Sequence, residues 1–172
     1  DLVDMAKYKH NLLQAGGLNS DHHHVRIINA LADTGADSLA EIAAKLDPSK
    51  GLAIITEGLV NYFDTATVQQ MWARFAQVLS GFQHGLYLSD LHIKATNRGP
   101  ATRTFMSLLS TFVGGRVHLH FKDTGSAEVA LSQAGFSQGV LLKPSEFRDQ
   151  LPDCRATGVD VVRVVCARTT HP

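Results

Sequence analysis

The sequence predicts an α/β fold, a mostly parallel sheet with helices on both faces, from three observations. Short apolar runs, "VRIINA" (25–30), "LAIIT" (52–56) and "GLYLSDL" (85–91), alternate with segments of helical periodicity. "LAII" is continuously apolar, as a central parallel strand buried on both faces would be. The last two strand-like runs, "GVLL" (139–142) and "VDVVRVVCAR" (159–168), have a Pro-containing loop rather than a helix between them, so they pair antiparallel at one edge.

The elements follow in order. Met5, Tyr8, Leu12 and Leu13 recur at helical spacing, and Gly16–Gly17 ends that helix. "VRIINA" is the first strand. Ser38 followed by Glu41 fits a capping box, opening a helix that buries Leu39, Ile42, Ala43 and Leu46. "LAIIT" is the next strand. Asp64 caps the clearest helix, where Val68, Met71, Trp72, Phe75, Leu79 and Phe82 form one apolar stripe. "GLYLSDL" is a strand, "KATNRGPATR" (94–103) a polar loop, and Phe105, Leu108, Leu109 and Phe112 mark another helix. "RVHLHF" (116–121) alternates like a strand with one polar face, and Ser126 to Ala134 is helical up to Gly135. There is no internal repeat, low-complexity tract or linker.

Length and composition narrow the function. The 172 residues, 44% hydrophobic, suit one domain with a sizeable core. Sixteen basic and sixteen acidic side chains give no electrostatic grip on nucleic acid or an anionic membrane. No run approaches the roughly 20 apolar residues of a membrane span. Cys154 and Cys166 match no metal or redox spacing, so they are expected as reduced, buried thiols in a cytoplasmic protein.

In such sheets ligands bind beyond the carboxyl ends of the strands. Three of those ends are polar: Asn29–Ala30, Glu57–Gly58 and Ser89–Asp90. In "GLAIITEGLVNYFD" (51–64) a carboxylate and a glycine interrupt a core strand, which marks a site. Asp90 either lines the substrate side or caps the following segment. Tyr62 either touches a ligand or belongs to the core. The His22–His24 triplet reads as a solvated loop. His118 and His120 have the spacing of a metal pair but no third ligand, so no metal is assigned.

"GLAIITEGLVNYFD", the Trp-containing helix after it and "GLYLSDLH" resemble the leucine carboxyl methyltransferase and polyketide O-methyltransferase family. These are class I S-adenosylmethionine-dependent methyltransferases. The opening "DLVDMAKYKHNLL", the middle "ALADTGADSLAEI" and the late "ALSQAGF" extend the resemblance over nearly the whole chain. It implies a Rossmann-like sheet, mostly parallel, with an antiparallel last strand. Asp1 then falls at the end of the family's second strand, where an acidic residue binds the cofactor ribose. Asn29 and Ala30 fall at the end of the third strand, beside adenine, with Asn where the family usually has Asp. Glu57 matches the glutamate at the end of the fourth strand, near the methionine part of S-adenosylmethionine, and Gly58 lets backbone and ligand approach closely.

The family's first strand, its glycine-rich turn and nearly all of its second strand precede Asp1. The expectation is therefore a single methyltransferase domain over 1–172, N-terminally incomplete, the C-terminal part of a longer polypeptide. The implied reaction is methyl transfer to a carboxyl or hydroxyl oxygen of a small-molecule acceptor of polyketide type. A carboxylate acceptor needs no base, being ionised at pH 7. For a hydroxyl, His118, His120 and Asp90 are the candidates. The alternatives are a nucleotide-cofactor oxidoreductase of similar sheet and a degenerate, non-catalytic cofactor-binding or scaffold protein.

Overall fold

In the computed structural model, which describes residues 3–18, 20–94, 96 and 118–170, the chain divides into two units, Asp1–Asp47 and Pro48–Pro172. In the first, helix α1 (Val3–Ala15) ends at its glycines. Gly16 N–H bonds to Leu12 O, Leu18 N–H bonds to Leu13 O, and Gly17 takes a left-handed φ of 64°. The expected apolar stripe is not buried: Met5, Tyr8 and Leu12 are each more than half exposed. Ser38 caps α2 (Leu39–Ala43) by accepting the Glu41 N–H at 3.3 Å, but the helix is short and Leu46, expected inside, is exposed.

The strand expected at 25–30 does not form. Asn29 makes an isolated bridge to Ser38, and its Oδ1 accepts the Leu31 N–H at 3.0 Å, closing a local turn. A β-rich run becomes a strand only where a neighbour completes its ladder, and no described strand pairs with this one.

The second unit holds the sheet: β1 (Gly51–Thr56), β2 (His84–His92), β3 (Gln138–Leu142) and β4 (Val162–Thr169), in the order β1-β2-β4-β3. β1 and β2 run parallel, with Thr56 opposite Ser89, while β4 is antiparallel to both β2 and β3. Among the described residues the sheet is thus mixed rather than mostly parallel. β1, expected at the centre, is an edge strand. Its residues alternate in exposure, and Ile55 is 70% exposed.

Two helices lie against this sheet. Asp64 caps α3 (Thr65–Ser80), its carboxylate accepting the Thr67 N–H at 2.8 Å, and Val68, Met71, Trp72, Phe75 and Leu79 are buried beneath it. Asp123 and Ser126 cap α4 (Thr124–Gln133) reciprocally. Leu79 of α3 lies over Gly85 and Leu131 of α4 over Gly139. These glycines face the same side of the sheet, opposite Thr169 and Ala167. A Cβ on Gly85 would stand 2.8 Å from both the Leu79 Cβ and its carbonyl oxygen, so glycine is what lets α3 approach. The described helices of this unit therefore cover one face, not both. Residues 118–121 are irregular rather than a strand. The helix expected at Phe105–Phe112 and most of the loop before it lie outside the described residues. Cys154 and Cys166 are free thiols.

At the core, Tyr87 is fully buried, flanked by Phe75 and Phe136 at ring-centroid distances of 5.3 and 5.8 Å. Its hydroxyl accepts from Trp72 Nε1 at 3.2 Å and meets Thr56 Oγ1 at 3.0 Å. The Thr56 hydroxyl donates to Ser89 Oγ at 2.9 Å, which in turn donates to the Asp90 carbonyl at 2.9 Å. Since Thr56 has one proton and Ser89 takes it, Tyr87 must donate to Thr56. The Tyr87→Phe variant leaves the Trp72 N–H and the Thr56 oxygen short of a partner. It is expected to lose about 1–3 kcal/mol in urea denaturation, and an unchanged midpoint would contradict this account.

Candidate functional site

β1 ends where its side chains stop being apolar. Beyond Thr56 the chain turns through Glu57 and Gly58 into a short 3-10 turn, Val60–Tyr62, and then to the Asp64 cap of α3. Gly58 has a left-handed φ of 64°, which favours glycine, and a Cβ built there would meet nothing within 4 Å. Its N–H donates to Asp90 Oδ1 at 2.7 Å, a short charge-assisted bond. Asp90 thus ties the end of β2 to the turn after β1. This is a structural role, but not the expected cap of the segment that follows it.

The same turn is held a second time. His118 N–H bonds to the Asn61 carbonyl at 2.8 Å, and His120 Nε2 lies 3.0 Å from the Val60 carbonyl. A carbonyl only accepts, so Nε2 carries the proton, and Nδ1 accepts from the Thr65 hydroxyl at 3.3 Å. Burial pushes the His120 pKa down despite the bond to Val60, and the neighbouring His118 and Lys94 act in the same direction. The two imidazoles lie nearly parallel, their centroids 6.1 Å apart. The first backbone N–H groups of α3 hold the Asp64 carboxyl below the usual range.

Between these two anchors the turn is open. Glu57 is exposed, with no partner among the described residues. Of the two readings of Tyr62, core is not what forms: it is 48% exposed, on the turn between β1 and α3. Asn61 is buried, and its Oδ1 has no hydrogen-bond partner. The buried His92 Nδ1, at the carboxyl end of β2, also has none. Orphaned buried polar atoms are unusual, so among the described residues these two have unused hydrogen-bonding capacity.

Of the residues singled out in the sequence, the structure brings Glu57, Gly58 and Asp90 together at this turn. Asn29 and Ala30 belong to the first unit, half-buried, and the Asn29 Oδ1 is engaged by Leu31. Asp1 lies outside the described residues. Sequence reasoning missed the anchoring part of His120. The signal was its place beside buried Phe121, which stacks on Trp72 at 5.4 Å.

Removing the Asp90 carboxylate should free the Gly58 amide. Asp90→Ala is expected to speed its hydrogen exchange about tenfold, the effect of a charge-assisted bond discounted for exposure. No acceleration would show that the turn holds without Asp90. His120 is harder to protonate folded than unfolded, so the unfolded state binds the extra proton. Its contribution to stability is complete above its ordinary pKa near 6.5 and is lost as pH falls through the lower folded value. His120→Gln should flatten the pH dependence of Tm between about pH 7.5 and 5.5 by at most one proton's worth of slope. An unchanged slope would assign the acid sensitivity to another group.

No family model and no curated protein matches the chain. Solved structures do. An O-methyltransferase family protein from Burkholderia thailandensis is 14% identical, with a TM-score of 0.53 over 98% of this chain and 41% of its own. The mitomycin 7-O-methyltransferase MmcR is 16% identical, with a TM-score of 0.57 over 99% of this chain and 40% of its own. The S-adenosylmethionine-dependent methyltransferase SibL, in its apo form, is 11% identical, with a TM-score of 0.58 over 94% of this chain and 40% of its own. The chain therefore spans about 40% of the length of the structures it matches. At these identities the likeness is one of fold: the chain shares the α/β fold of solved methyltransferases.

Proposed function

We propose that the chain is part of an S-adenosylmethionine-dependent O-methyltransferase of the leucine carboxyl and polyketide kind, acting on a small-molecule acceptor. The observation that carries this reading is the turn after β1. It offers a carboxylate and a buried Asn61 Oδ1 with no partner among the described residues, and a left-handed glycine with open space beside it. These residues fit the cofactor, whose ammonium and hydroxyl groups donate hydrogen bonds. Glu57 would accept from the methionine part, and Gly58 would leave room for it. Asn29 and Ala30 would serve adenine and Asp1 the ribose, in keeping with the family resemblance.

When bound, S-adenosylmethionine supplies a methyl group on a sulfonium, transferred in line to an acceptor oxygen. The protein's part is to hold the two partners aligned and dry. For a hydroxyl acceptor, the hydrogen bonds of the three candidate bases support one over the others. Both ring nitrogens of His120 are engaged, and Asp90 commits an oxygen to Gly58. The His118 ring makes no hydrogen bond among the described residues and is the base this reading favours. The edge position of β1 and the exposure of Ile55 further support a larger sheet in the whole protein, with another strand beside β1.

Calorimetric titration with S-adenosylhomocysteine tests the reading. Saturable binding is expected, weakened about tenfold in Glu57→Gln by loss of the charge-assisted contact. Binding that Glu57→Gln leaves unchanged would overturn the assignment of the site. Absence of binding, both in this chain and in one lengthened before residue 1, would overturn the methyltransferase reading itself.

A further inference from the structure

The loop between β3 and β4 shapes an open, solvent-facing pocket away from the turn after β1. Three 3-10 turns shape it, Pro144–Phe147, Pro152–Arg155 and Val159–Val161, and the cavity measures about 270 Å³. Its lining includes Ser145, Arg148, Cys154, Arg155, Gly158 and Asp160. Because β3 runs parallel to β1 and β2, this loop leaves the sheet at the same end as Glu57, but at the opposite edge. Three strand spacings separate the two edges, about 14 Å.

The two arginines are set in place by the backbone. Arg155 Nε donates to the Arg148 carbonyl at 2.8 Å, and Arg148 Nε donates to the Ser145 carbonyl at 2.9 Å. Each bond fixes the plane of a guanidinium and consumes its inner N–H. The terminal amino groups of both have no partner among the described residues, and they form the end-on fork that matches a carboxylate or phosphate. The cavity's one lining carboxylate does not answer them. Asp160 Oδ1 accepts the Ser145 N–H at 3.0 Å and Oδ2 accepts the Ser145 hydroxyl at 2.7 Å. Those bonds hold its carboxyl below the usual range, so it stays charged and committed to Ser145. Two oriented cations thus line the pocket beside one carboxylate whose oxygens are both engaged by Ser145. The volume is slightly below that of a drug-sized pocket, which suits a small ion or the charged head of a larger molecule.

We propose that this cavity is an oxyanion site, taking a carboxylate or phosphate group of a small ligand between Arg148 and Arg155. The site is independent of methyl transfer and stands whether or not that activity does.

The test is an NMR titration of the whole chain in chloride buffer, followed at the arginine Nε–H signals, with inorganic phosphate in one arm and acetate in the other. Saturable shifts at Arg148 and Arg155 are expected, with affinity at least about tenfold lower in Arg148→Gln or Arg155→Gln. Arg168→Gln, at the far end of β4, should leave the curve unchanged. Arg155→Lys keeps the charge but loses the fork, and should also weaken binding if the glutamine variants do not fold. Saturation with phosphate alone or acetate alone identifies the preferred oxyanion, and either supports the site. Ligand should also slow alkylation of Cys154 and leave Cys166 unaffected. A linear, unsaturated response in both arms, or a curve that Arg168→Gln alters as much as Arg155→Gln, overturns the proposal.

Discussion

The buried Tyr87 hydroxyl is the constraint on which the second unit depends. A phenol taken out of water must keep its hydrogen bonds, and this one is placed between three elements. Trp72 reaches it from α3, Thr56 from the last residue of β1, and the chain continues through Ser89 to the backbone of β2. Desolvation raises the Tyr87 pKa, which keeps the phenol neutral and a donor. Each proton in the series then has one direction. A slip of β1 along β2 by a residue would turn Thr56 away from Tyr87 and leave the phenol and the indole unsatisfied together. Polar order inside the core thus fixes the register, and register fixes where β1 ends.

Local signals in the sequence were the most legible. Asp64 before an apolar stripe and Ser38 ahead of Glu41 both cap helices, because a cap is decided within four residues of chain. The runs at 52–56, 85–91 and 139–142 became strands with ends shifted by at most one residue. What failed depended on partners the sequence does not name. "VRIINA" has the composition of a strand but no ladder to join, so Asn29 folded back on Leu31. "LAII" reads as doubly buried, yet at the edge of the described sheet only the face of Leu52 and Ile54 is covered. Core was one of two readings of Tyr62, because it precedes a helix, but on the turn after Gly58 it is 48% exposed.

The candidate site was half legible for the same reason. Glu57 and Gly58 stood out because a carboxylate and a glycine interrupt an apolar run, which is a local contradiction. Asp90 was visible as a polar strand end, but its bond to Gly58 joins positions 32 residues apart. His120 showed its spacing from His118 and its place beside Phe121, neither of which names its partners. The fold gives both its nitrogens to the Val60–Thr65 turn. The cavity at Arg148 and Arg155 left no trace in the sequence. Two exposed arginines seven residues apart mean nothing until a loop bends each Nε onto a carbonyl.

The turn after β1 divides the work of holding its backbone among several residues. The Gly58 amide is held by Asp90, and the Val60 and Asn61 carbonyls are held by His120 and His118. Glu57 and the Asn61 side-chain oxygen are not used by the frame at all. Holding the backbone from both sides removes much of the ordering cost that a loose loop would bear on binding. The exposed Glu57 carboxylate is left outside the frame, while the Asn61 side-chain oxygen is buried behind it. That division, more than the fold it shares with solved methyltransferases, is what singles out this end of the sheet.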